Sequence, residues 1–147
     1  MLGITPFGML HTLVSLVSLL AGVYALIRYR ELNSRGAVGG AYLVGTIASC
    51  VTGFFIFRHG GFNVAHALGV VTLVVLAIAW LAERGARPGS ARRSVAVLGY
   101  TLTLFFHFIP GLNETLVRVP PDNPLITGPD DPLLNALVGG TLVVFMV

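Results

Sequence analysis

Tyr100, Thr103 and His107 follow one another at spacings of three and four inside an apolar run, Ser94 to Glu114, that is long enough to enter a bilayer. On a helix those spacings put all three side chains on one face. An ionisable residue inside a membrane span is costly, and by default it marks a functional site. Three more histidines, His11, His59 and His66, sit near the ends of other apolar runs. Imidazoles gathered at one membrane face would do one of three things: ligate haem axially, hold a bare metal, or exchange protons near neutral pH.

The elements that must position these residues are membrane helices. The chain of 147 residues is 55% hydrophobic and 10% charged, with mean hydropathy +0.87. That is too little charge to cover a water-soluble domain of this size. Several apolar stretches reach the roughly 20 residues that a helix needs to cross a bilayer, and a β-barrel would show short alternating segments instead. The fold class expected is all-α integral membrane, an antiparallel four-helix transmembrane bundle plus a short fifth helix. The spans are placed at 6–28, 36–57, 63–82, 91–109 and 132–147, with a polar outer loop at 110–131. Thr5, Asn63, Ser90 and Asp131 are the expected helix caps, and Pro110-Gly111 the expected end of the fourth helix. At 1.5 Å per residue the last segment reaches only about 24 Å against a core of about 30 Å, so as a fifth span it would thin the bilayer locally.

Small residues choose the faces that meet. His11, Ser15, Ser18, Gly22 and Ala25 form one stripe on the first span, and Ala41, Gly45, Ser49 and Gly53 one on the second. The third span would turn His66, Gly69, Leu73, Ala77 and Trp80 inward. Such residues let helices approach closely in lipid. Cys50, the single cysteine, reads as an apolar filler, which excludes an intramolecular disulfide and a thiolate metal site.

Orientation follows from arginine. The connections after the first and third spans hold seven of the nine arginines, and the chain has no lysine. The positive-inside rule places both connections in the cytoplasm of a bacterial inner membrane, with the N-terminus outside. The same placement explains the net +3 without a nucleic-acid partner. The lipid bilayer is the expected partner, with a homo-oligomer or a larger membrane complex as a further one.

With that topology His11, His66 and His107 lie a few residues inside the outer end of three different spans, with His59 in the turn beside them. A b-type haem held between facing imidazoles is the sharpest expectation, with Gly69 leaving room for the porphyrin. The alternative is copper or zinc held by His11, His66, His107 and His59, with Glu114 or Asp122 completing the shell. A quinone or small solute is a third candidate, and an accessory subunit whose histidines only bond to neighbours a fourth. Ser15, Tyr100 and Thr103 support the site in each version. No nucleophile–base pair, phosphate loop or carboxylate pair is present inside the spans.

The stretch Arg35-Gly36-Ala37-Val38-Gly39-Gly40-Ala41-Tyr42 resembles an element of small bacterial membrane proteins grouped as a domain of unknown function. There a His-Arg-x-x-Gly-x-x-Tyr sequence opens the second helix, and an early histidine, matched by His11, opens the first. Gly39 and Tyr42 match, while Arg35 and Gly36 stand at the His-Arg positions. The resemblance covers roughly the first three helices. It implies the multi-spanning architecture and no established activity.

Overall fold

The computed structural model describes residues 5–57 and 61–146. Five helices follow in order among them: α1 Pro6–Tyr29, α2 Gly36–Gly53, α3 Val64–Arg84, α4 Ala91–Leu116 and α5 Pro132–Met146. The first four are long and apolar enough to cross a membrane. The protein is therefore an all-α membrane protein. At 15 residues α5 rises about 22 Å, short of a full span.

The local signals act as expected at the helix starts. The Thr5 hydroxyl accepts from Gly8 N–H at 3.1 Å with Pro6 behind it. Asn63 accepts from Ala65 N–H at 3.0 Å, Ser90 from Arg93 N–H at 3.3 Å and Asp131 from Leu133 N–H at 2.9 Å. At its far end α1 stops on Arg30, whose N–H still bonds to Leu26 O while its φ of 59° turns the following chain out of the helix.

The chain forms two compact units, one of residues 5–104 and one from Phe105 onward. In the larger, α1 and α2 pack antiparallel through the small-residue stripe on α1. Ser18, Gly22 and Ala25 are buried, while Leu13, Val17, Leu20 and Ile27 face outward to the lipid. Contacts are close where side chains are small. A Cβ at Gly45 would lie 2.8 Å from Ser18 Cβ, one at Gly22 2.7 Å from Leu104, and one at Gly99 2.8 Å from Ala79 Cβ. In the smaller unit the Phe105 and Phe108 rings meet the Phe145 ring of α5 edge-on.

Four boundaries or faces differ from the sequence reading. α2 ends at Gly53 rather than 57, because Phe55 and Ile56 bond back to Thr52 and Gly53 in a tightened turn. Its inward face is Gly39, Tyr42, Thr46 and Ser49, so Ala41 is exposed. α3 buries His66, Thr72, Leu76, Ala79 and Glu83, whereas Ala77 is exposed. α4 runs through Pro110 to Leu116. An interior proline forfeits one backbone bond and crowds the carbonyl four residues back, which a membrane helix tolerates when nearby side chains satisfy the freed groups. Here the Thr115 hydroxyl donates to Gly111 O at 2.7 Å, and Arg118 pairs with Glu114.

Candidate functional site

His11 lies on α1 and points at the end of α2. Its Nδ1 is 2.9 Å from Thr52 Oγ1. The Thr52 hydroxyl already donates to Ala48 O at 2.7 Å, so the imidazole Nδ1–H must be the donor. Gly53 leaves the ring its space, for a Cβ there would be 3.3 Å from His11 Cε1.

His66 is 4% exposed and serves its own helix. The Asn63 backbone N–H donates to its Nδ1 at 3.3 Å while the Asn63 side chain accepts from His66 N–H, a capping box with histidine at the third helical position. Phe57 and Phe62 pack on the ring at centroid distances of 5.3 and 5.4 Å, and Phe54 at 6.4 Å. Gly69 makes room for Phe54, whose ring edge is 2.9 Å from where a Cβ would stand. The space expected to admit a porphyrin is filled by that phenylalanine. His66 Nε2 is buried and has no hydrogen-bond partner among the described residues.

His107 is half-buried on the stretch of α4 that belongs to the smaller unit. Glu114, in the same unit, accepts from Arg118 Nε at 3.1 Å, and Asp122 is exposed. His59 falls outside the described residues. Among the described residues no group of three or more His, Cys, Asp or Glu side chains comes together to hold a metal ion.

The supporting residues prove to be parts of a polar ladder through the larger unit. Ser15 donates to His11 O at 2.8 Å and accepts from Ser49 at 2.6 Å. One turn further on, Ser18 donates to Tyr42 O at 3.0 Å and meets the Thr46 hydroxyl at 2.8 Å. Thr103 donates to Tyr100 O at 2.9 Å, which makes Tyr42 O–H the donor to Thr103 at 2.7 Å. Every rung thus ends on a backbone carbonyl.

The ladder ends on a carboxylate that the reading of the sequence above does not single out. Glu83 is 7% exposed, in the last turn of α3. Its Oε2 accepts from Tyr100 O–H at 2.8 Å and from Ser34 O–H at 2.6 Å, and its Oε1 from Ser34 N–H at 3.2 Å. Arg35 Nε stands 3.4 Å from Oε1. One carboxylate therefore ties the α1–α2 connection to α3 and α4. A cavity of about 170 Å³ opens beside it, lined by Glu31, Arg35, Glu83, Arg93 and Tyr100 among others. A signal was available: an acidic side chain in the last turn opposes the helix dipole, so its presence there calls for a partner.

Fold and side-chain placement define a multi-spanning helical membrane protein with a hydrogen-bonded interior. No family model, curated protein or solved structure matches the chain.

Proposed function

We propose that the protein is a non-catalytic component of a bacterial inner membrane, a helical scaffold or accessory subunit that keeps its interior polar groups for its own assembly. The observation that supports this is the ladder. The Ser15, Ser18, Thr52 and Thr103 protons run to carbonyls at His11, Tyr42, Ala48 and Tyr100, while Ser49, Tyr42 and Tyr100 donate across to Ser15, Thr103 and Glu83, so these bonds clamp helices together without forming a continuous proton path. The histidines are engaged at Nδ1 as well, that of His11 with Thr52 and that of His66 with Asn63.

In this reading the arginine-rich connections face the cytoplasm. A reporter fused after Arg35 or Arg87 is expected to behave as cytoplasmic, and one near Pro121 as external. The reverse pattern inverts the molecule.

A second reading, a haem or a copper or zinc ion at the histidines, is favoured by His66 Nε2, buried without a hydrogen-bond partner among the described residues, and requires the tautomer whose Nδ1–H donates to Asn63 Oδ1 at 3.0 Å. The visible spectrum and metal content of the detergent-solubilised protein separate the two. The scaffold is expected to give a blank spectrum and far less than one metal per chain. A b-type spectrum on reduction, or stoichiometric copper or zinc that falls in His66→Ala, would replace it with the second reading.

A further inference from the structure

We infer that the arginine-bearing end of the larger unit is a binding face for the headgroups of anionic phospholipids. The inference needs the membrane placement only, and stands whichever side that end faces and whatever the histidines do.

The two connections form one surface, since Ser34 and Arg35 of the first bond to Glu83 and Arg93 of the second side pairs with Glu31. Seven arginines and two glutamates lie on it, +5 in all. Both glutamates are matched, Glu83 by Arg35 and Glu31 by Arg93. Arg28, Arg30, Arg84, Arg87 and Arg92 are exposed and pair with no carboxylate among the described residues. Five like charges at one end repel one another and call for an external anion.

The chemistry of that anion is set by what lies next to the charges. Arg84 stacks its guanidinium 3.9 Å from the Trp80 ring, and Arg28 lies 5.8 Å from that of Tyr29. Arginine beside tryptophan and tyrosine at a helix end is the composition of the headgroup level of a bilayer. On the membrane side of these arginines Ile27 of α1, Leu81 of α3 and Leu98 of α4 are 72%, 56% and 68% exposed. A phosphate carried by a diacyl chain satisfies both parts at once, the head on the guanidinium groups and the tails on the apolar sides. A soluble polyanion would leave the apolar part uncovered. The cavity between Glu31 and Glu83 is not part of this face, because two carboxylates line it.

The test uses the full chain reconstituted in phosphatidylcholine vesicles with trace spin-labelled phosphatidylglycerol or, separately, spin-labelled phosphatidylcholine. The motionally restricted fraction of each label is read at low salt and in 1 M salt. The expected result is a several-fold preference for phosphatidylglycerol, since each arginine near the surface is worth roughly fivefold. That preference should collapse in 1 M salt, where the screening length is about 3 Å, and should fall by more than half in R84Q/R87Q/R92Q. Equal restriction of the two labels in the unmodified protein would overturn the inference. So would a preference that survives 1 M salt, a result that does not depend on how the triple variant folds. Displacement of the phosphatidylglycerol label by polyglutamate would also overturn it and assign the face to an acidic protein segment.

Discussion

Gly39→Ala is expected to destabilise the larger unit, against the direction that helix propensity alone would give. In an ordinary helix the exchange gains about 1 kcal/mol. Here the new Cβ would stand 2.1 Å from the Asn33 carbonyl oxygen and 3.1 Å from the Asn33 and Ser34 carbonyl carbons. Those atoms are backbone and cannot swing aside as a side-chain tip can. Their stretch is pinned, for Asn33 Oδ1 accepts from Arg35 N–H and Ser34 is held on Glu83. Relief of the clash therefore means pulling Ser34 off Glu83, and the cost should sit at or above the top of the roughly 1–3 kcal/mol range for overpacking. Gly40 is the control one residue on, where a Cβ meets nothing within 4 Å. Gly40→Ala should leave the melting temperature of the detergent-solubilised protein unchanged or raise it. A Gly39→Ala protein as stable as its parent would mean that the connection does not lie against α2 in this manner.

The clash gives a physical reason for glycine at position 39, three residues before Tyr42. Gly39 is where the connection crosses the start of α2, and Tyr42, fully buried, sends its hydroxyl to Thr103. Both positions are explained by packing, with no ligand required.

How legible each face was in the sequence depended on whether polar or small residues marked it. Lipid tails are as apolar as leucine, so hydrophobicity does not separate the buried side of a span from the exposed one. α1 carries a small and polar stripe among Leu and Val, and the stripe is what the structure buries. α3 is Val, Leu, Ala and Ile on nearly every side. There the reading through Gly69, Leu73 and Ala77 drifted from the real line through Thr72, Leu76 and Ala79. The caps at Thr5, Asn63, Ser90 and Asp131 were legible because each acts within three residues of itself. The capping role of His66 is written as locally, in a histidine three positions after an asparagine. Long-range partners such as Thr52 for His11 needed the antiparallel register of α1 and α2. Glu83 needed the fold of the whole α1–α2 connection.

Glu83 carries the second large expected effect. Glu83→Ala removes the acceptor of the Tyr100 hydroxyl, of Ser34 O–H and of Ser34 N–H in one step. Tyr100 is 1% exposed, so a replacement acceptor could come only as water from the cavity beside Glu83. An orphaned buried donor costs about 1–3 kcal/mol, and the loss should fall in the upper part of that range or beyond it because more than one donor is orphaned. Arg35 decides whether the ion pair or the hydrogen bonds matter. Its side chain is 74% exposed, so Arg35→Ala should cost less than about 1 kcal/mol. The sharper comparison is with Tyr100→Phe, which deletes the buried donor itself. If the carboxylate acts by accepting from Tyr100, the double variant Glu83→Ala/Tyr100→Phe should be more stable than the sum of the single losses predicts, because the Tyr100 donor is then no longer orphaned, whatever happens at Ser34. Thermal unfolding of the four proteins in one detergent closes the cycle. Strict additivity would show that Glu83 and Tyr100 are not coupled, and a loss in Arg35→Ala as large as in Glu83→Ala would move the weight of the clamp to the ion pair.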